Sequence, residues 1–312
     1  MGFDVAYFSR KSTNEIMNAS ISWATGFSGS VIANGSIQNK GLEVLVTGTP
    51  VKTRNFNWNV SFNLTSVKNE VLKTDAAGNN LGLGTYRPLN ANTAYIVGLA
   101  GPQILAHDYT YNSKGQIEVD GSGLPIQGNL VASGSVLPTL YGGFKNEFSY
   151  KDFNFSFLLD YNFGNKVLSA TKYYALYRGL DKATLVGRES GVMVNGVLAD
   201  GTTANTTTAS AESYYERLAS ISKGNVLSGD YIKLRQVTFG YTISEKALSK
   251  LPLFSAIQIS FVARNLVTLL KHTDNIDPEA GFSSTIGYAG IEGTSLPSVR
   301  SFGINANFKF KK

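Results

Sequence analysis

From Lys151 the chain reads KDFNFSFLLDYNFGNK. Apolar side chains occupy 153, 155, 157, 159, 161 and 163, and Asp, Asn, Ser, Leu, Asp and Asn fill the positions between them. A period of two is the signature of a strand with one apolar face, and it excludes an amphipathic helix. FNWNVSFNLT repeats the pattern, with Phe56, Trp58, Val60, Phe62 and Leu64 set against Asn57, Asn59, Ser61 and Asn63. So does SFGINANFKF, where Phe302, Ile304, Ala306, Phe308 and Phe310 alternate with Ser301, Gly303, Asn305, Asn307 and Lys309. Whatever fold this chain takes must give an aromatic face and an Asn-, Ser- and Lys-bearing face each its own solvent.

The same reading along the whole chain predicts an all-β fold of eight strands, near 2–10, 36–49, 55–67, 139–151, 152–164, 229–243, 255–268 and 299–311. Only two helices are suggested, SEKALSKL at 244–251 and ESYYERLASI at 212–221. The links follow a rule. Those at 50–54, 151–152 and 244–254 are short, those at 11–35, 68–138, 165–228 and 269–298 are long, and the two kinds alternate. In an up-and-down antiparallel sheet, alternate links share an edge, so one edge carries tight turns and the other carries the long loops. Transmembrane β-barrels segregate their loops in this way.

A barrel wall explains why one face is aromatic and the other polar. Phe153, Phe155, Phe157, Tyr161 and Phe163, with Phe56, Trp58, Phe62, Phe302, Phe308 and Phe310, are then lipid-facing. A Lys or Arg facing the bilayer midplane costs about 2–4 kcal/mol, and both charges of the 152–163 stretch, Asp152 and Asp160, fall on the other face. Strand-end aromatics such as Phe153, Phe163, Trp58 and Phe310 suit the headgroup level. A β-sandwich core also yields alternation; polar inner faces together with one-sided loop lengths favour the barrel. At 229–243 the apolar set passes from even positions (Ile232, Leu234) to odd ones (Val237, Phe239, Tyr241), which predicts a β-bulge near Arg235–Gln236.

Composition narrows the function classes. Charged residues are 16 % of the 312, against roughly 25 % in ordinary globular domains. No run reaches the roughly 20 apolar residues of a membrane helix. The net charge of +6 is modest and its Lys and Arg are scattered, so no nucleic-acid surface is expected. With no cysteine, disulfides and thiolate metal sites are excluded. The first residues, MGFDVAYFSRKST, contain no basic leader followed by an apolar core.

No catalytic constellation is visible, and none is expected. His107 and His272 stand alone, no GxSxG or P-loop occurs, and GLGTYR at 82–87 lacks the third glycine of a dinucleotide fingerprint. No cofactor or metal is expected. HTDNIDPEAG places Asp274, Asp277 and Glu279 in one loop without EF-hand spacing, and reads as a solvated acidic loop. TTANTTTAS at 202–210 reads as a flexible tip. Candidate ligand contacts come from loop aromatics beside arginines: Tyr173, Tyr174, Tyr177 and Arg178 in TKYYALYRGL, and Tyr214, Tyr215 and Arg217 in ESYYERL. Tyr faces stack on sugar rings and Arg donates to hydroxyls or carboxylates; packing of loop against loop is the competing use for each.

GDYIKLRQVTFGYTISEKALSKL, IQISFVARNLVTLLKHTDNIDPEAG and LPSVRSFGINANFKF, in that order, resemble the last three strands of the SusC/RagA-type TonB-linked outer-membrane proteins of Bacteroidetes. SIQNKGLEVLVTGTPVKTRNFNWNVSFNLTSVKNEVLK extends the resemblance toward the N-terminus. The resemblance implies an outer-membrane location and a 22-stranded barrel with an N-terminal plug. It also implies TonB-driven import of oligosaccharides or peptides and a SusD-like surface lipoprotein as partner. Against that pattern, residues 1–312 correspond to a C-terminal barrel segment of about eight strands. The signal peptide, TonB box and plug are missing, so contact with the TonB complex would run through the absent N-terminal part. Family members usually stop at the terminal aromatic, whereas Lys311 and Lys312 follow Phe310 here. Two alternatives remain: a complete eight-stranded outer-membrane barrel with a structural or adhesive role, which requires strand 2–10 to pair with strand 299–311, and a soluble carbohydrate-binding β-domain, which requires the aromatic face to be buried in a protein core.

Overall fold

The computed structural model of the chain describes residues 1–19, 26–27, 30–75, 78–249, 251 and 253–311. Eight long strands form one sheet: β1 (Gly2–Ala19), β2 (Ser30–Lys52), β3 (Phe56–Lys73), β4 (Leu140–Tyr150), β5 (Phe153–Phe163), β6 (Tyr231–Ser244), β7 (Phe254–Lys271) and β8 (Ser301–Phe310). They lie side by side in chain order, each antiparallel to the next. The fold is all-β and up-and-down.

Register sets the two faces. Val5 lies opposite Val44, Val44 opposite Leu64, Trp58 opposite Phe148, and Phe148 opposite Phe155. Phe155 lies opposite Phe239, Phe239 opposite Phe261, and Phe261 opposite Ile304. Opposed residues share a face, so one apolar face runs unbroken across all eight strands. The other face collects Asp4, Glu43, Lys145, Glu147, Asp160, Lys233, Arg264 and Lys309. No second sheet covers the apolar face among the described residues: Phe153 and Phe155 stay 45 % and 40 % exposed. Phe157 and Tyr161 are half-buried only by neighbours on the same face, Phe157 against Phe144 at 6.5 Å and Tyr161 against Phe62 at 6.3 Å between ring centres. This removes the protein-core reading.

Among the described residues β1 has β2 as its only strand neighbour and β8 has only β7, so the eight strands form an open sheet. The pairing that a complete eight-stranded barrel requires is absent. The bulge falls where the register change places it. Leu158 faces Gln236 and Leu159 faces Leu234, leaving Arg235 as the extra residue.

Several boundaries differ from expectation, among them the end of β3, which runs on to Lys73. The link expected over 11–35 is much shorter, because β1 continues to Ala19 and β2 begins at Ser30. Lys11, Ser12, Thr13 and Glu15 are polar on both faces, and a register shift at Asn14, with φ 57°, breaks the period. A strand wet on both sides writes no alternation into its sequence. The helix expected over 244–251 does not form: 245–249 is a run of turns, closed by Leu248 N–H bonds to the Ser244 and Glu245 carbonyls. One turn fixes several dihedrals for few hydrogen bonds, so so short a helix is poorly nucleated; residue 250 lies outside the described residues.

The other three long links are folded. The first builds a four-stranded sheet from Leu81–Tyr86, Ala91–Tyr95, Gln103–Tyr109 and Gln127–Ser135. The second contributes helices α1 (Ala170–Tyr177) and α2 (Ala211–Ser220). Strand Lys166–Ser169 of that link pairs with Val226–Ser228 and with Ile291–Glu292 of the third. Leu89, Ile104, Val136, Leu168 and Ile291 meet in one buried core drawn from all three. They form a cap over one edge of the sheet. The 202–210 stretch is held too: buried Asn205 donates to the Val194 carbonyl at 2.9 Å, and Val192 bridges Ala209. No helix among the described residues is long and apolar enough to cross a membrane.

Candidate functional site

The cap owes its shape to two capped helices. The Ser169 hydroxyl accepts from Lys172 N–H at 3.0 Å and the Ser210 hydroxyl from Ser213 N–H at 3.1 Å, each satisfying an otherwise orphaned first-turn donor. α1 and α2 pack through Leu176, Ala211, Tyr215 and Ala219, with Tyr173, Tyr177, Tyr214 and Leu218 around them. Between the helices and the Lys182–Leu185 turn lies a cleft of about 650 Å³, lined by Tyr177, Arg178, Arg188, Glu212, Tyr215 and Glu216 among others.

The expected ligand contacts fall into two sets. Tyr177 and Arg178 line the cleft, the guanidinium standing 5.1 Å over the ring, in cation–π range. Tyr174 is exposed beside them. Tyr173 stacks on Tyr177 at 5.7 Å and 11° and packs against both cap cores. Tyr215 lines the cleft but is buried, its hydroxyl donating to the Ala183 carbonyl at 2.5 Å. Tyr214 meets it edge-on at 5.0 Å. Arg217 is turned toward the first link, donating to the Pro125 carbonyl at 2.7 Å and pairing with Asp120 at 3.2 Å. Burial raises the phenols of Tyr173, Tyr214 and Tyr215 above the ordinary tyrosine value, so each is a neutral hydroxyl at physiological pH. Arg188 went unnoticed in the sequence: it donates to the Thr184 carbonyl at 2.9 Å and the Gly179 carbonyl at 2.6 Å, bracing the cleft's rim.

A second constellation lies where the cap meets the wall. Lys233 of β6 is 3 % exposed, and its ammonium pairs with Asp277 at 2.5 Å and Glu279 at 2.6 Å. Arg235, projected by the bulge, binds Asp160 and reaches Glu279 at 2.8 Å. The Tyr231 hydroxyl donates to Glu279 at 2.8 Å, and Ser298 donates to Asp277 through N–H and hydroxyl. Burial alone would raise the Glu279 carboxyl, but hydrogen bonds from Arg235, Lys233 and Tyr231 outweigh it and bring it down to about 2. Asp277, opposed by burial in the same way, is held well below the usual carboxylate range by Lys233 and Ser298. Asp277 and Glu279 are therefore not solvated charges, while Asp274 of the same loop stays exposed. The two meet cations that sit far from them in sequence, which no local pattern reveals.

Deeper in the cap, Glu292 is fully buried. Its carboxylate accepts from Ser169 Oγ at 2.9 Å, Thr171 N–H at 3.0 Å, Thr171 Oγ1 at 3.0 Å and Ser295 N–H at 3.1 Å. The negative charge rests on the N-terminus of α1, where backbone donors and the helix dipole favour it.

No family model matches the chain. Curated relatives do. TonB-dependent receptor P39 of Formosa agariphila is 28 % identical over 99 % of this chain and 35 % of its own length. TonB-dependent receptor SusC of Bacteroides thetaiotaomicron is 25 % identical over 52 % of this chain and 17 % of its own. The chain spans about a third of the length of the relatives it matches end to end. Among solved structures, that of the RagAB peptide transporter superposes with a TM-score of 0.69 over 97 % of this chain and 33 % of that one, at 16 % identity. The chain is thus similar along its whole length to proteins named TonB-dependent receptors and over about half of it to SusC, and it shares the fold of the RagAB structure.

Proposed function

We propose that the chain is a length of wall and its folded cap in an outer-membrane importer of oligosaccharides or peptides, driven through TonB. The observation that carries the reading is the apolar face, eight strands wide and uncovered among the described residues, backed by a face that carries Glu43, Lys145, Glu147, Asp160 and Lys233. Only hydrocarbon suits the first and only water the second. We read the eight strands as the C-terminal part of a 22-stranded barrel, on relatives about three times as long. The plug and the TonB-contacting segment would then lie elsewhere in the receptor, and a SusD-like lipoprotein would close over the cap. Tyr174, Tyr177 and Arg178 are the proposed ligand contacts, with Tyr173, Tyr214, Tyr215 and Arg217 holding the cleft in shape. The reaction is transport, with no bond made or broken.

Trp58 provides the test. It stacks on Phe148 at 5.7 Å on the apolar face, three residues into β3. In a Trp23→Phe background it is the one indole left. Bilayers brominated near the headgroups are expected to quench its emission strongly, and deep-chain bromines less so. Unquenched emission in both would overturn the reading.

A further inference from the structure

The third long link touches the wall, the first link and the second link, each through a different kind of contact. At its start, Asp277 and Glu279 bind Lys233 and Arg235 of β6. At its middle, Gly287 lies backbone-to-backbone on the first link: Thr93 Oγ1 donates to its carbonyl at 2.6 Å, and a Cβ on Gly84 would stand 2.3 Å from that oxygen. Phe282 meets Tyr86 edge-on at 5.2 Å beside this contact. At its end, Ile291 joins the cap core and Glu292 closes the N-terminus of α1. Ser295 returns to Glu292 and Ser298 to Asp277, so the segment is also tied to itself.

We infer that residues 277–298 are a strap: a single cooperative element through which the wall charges Lys233 and Arg235 position helix α1 and the cleft beside it. Lys233, Asp277, Glu279 and Glu292 are positioning residues, since none of them lines the cleft. Each anchor by itself is local. What makes them one device is that the one segment supplies both carboxylates that meet Lys233, the carbonyl that accepts from Thr93 and the acceptor of the Thr171 N–H. Lys233 would keep no carboxylate from the strap, and α1 would lose the acceptor of its Thr171 N–H. Release of one end therefore weakens the other, and coupling of this kind runs equally in both directions. The inference stands independently of what the cleft binds and of whether the chain transports anything.

Amide hydrogen exchange on the full chain in detergent micelles tests it, with no ligand needed. Glu279→Gln is expected to speed exchange on the order of tenfold or more at 277–298, and by a comparable factor at 170–177 on the far side of the cap. The 140–163 hairpin should be unchanged. Glu292→Gln should do the reverse, loosening 170–177 directly and 277–282 remotely. A Glu279→Gln effect confined to 277–282 would overturn the proposal. Should either variant fail to fold, the unsubstituted chain decides. Under rising denaturant, amides of 170–177 and 277–292 should open with one shared exchange rate and denaturant dependence, and distinct openings would sink the strap.

Discussion

Lys233 is an ammonium with almost no water around it, and it is tolerable there only because two carboxylates meet it. Removing one partner of a buried pair leaves an uncompensated charge and costs about 3–5 kcal/mol. Lys233→Met should therefore lower stability less than Asp277→Asn combined with Glu279→Gln, which strands the cation; urea unfolding in micelles compares them. The pH dependence has a definite sign. Glu279 titrates at about 2 in the folded chain against an ordinary value of 4.5. Its contribution is complete above pH about 4.5 and drains away between there and about 2, as the carboxylate is protonated. Exchange at 277–298, corrected for intrinsic rates, should accelerate on going from pH 6 to pH 3; acceleration toward alkaline pH instead would contradict this. On the apolar face, Asn146 accepts from the Trp58 indole at 3.0 Å while its own amide nitrogen finds no partner. Stranding one partner costs about 1–3 kcal/mol, whereas replacing both is close to neutral. Asn146→Leu should thus destabilise, and Asn146→Leu with Trp58→Phe should recover most of the loss. The Asn146–Trp58 pair was invisible in sequence because its members lie 88 positions apart.

Elements were legible in proportion to how sharply their two faces differ. β3, β5 and β8 alternate aromatic with polar, and their positions and the bulge at Arg235 could be read directly. The 11–15 stretch of β1, polar on both sides, could not. α1 escaped because TKYYALY has too few turns to establish a period, and its start depends on Glu292, 121 residues away from Thr171. α2, with Ser210 as cap and Leu218 and Tyr215 on one side, was legible within a residue. The strap was the least visible element: its partners, from Thr93 and Thr171 to Lys233, lie far from it in sequence. Its test at this scale is Gly287→Ala, whose added methyl would sit 2.4 Å from the Leu83 carbonyl oxygen. Forced overpacking costs about 1–3 kcal/mol, so local protection at 81–95 and 286–292 should fall together. The wall supplies a second contrast. Phe157→Arg faces the apolar medium and should cost about 2–4 kcal/mol in lipid, while Ser156→Arg, one residue away, should fold nearly as well as the parent.

For the molecule as a whole, the sheet's ends govern what it can do alone. Liposomes carrying only these residues should take up no oligosaccharide or peptide faster than empty ones, since an open wall encloses no path; uptake above that background would count against reading the eight strands as part of a larger barrel. β8 carries a further implication. Antiparallel pairing engages its amides in alternation, one toward β7 and the next away. In the chain by itself the outward-directed amides have no strand to bond, so a proline walked along 301–310 should be tolerated at every other site. Inside a full-length receptor, where a neighbour would claim that side, the tolerant sites should turn intolerant. A ten-step substitution ladder would thereby register, from the membrane, whether the rim of this sheet is a shoreline or a seam.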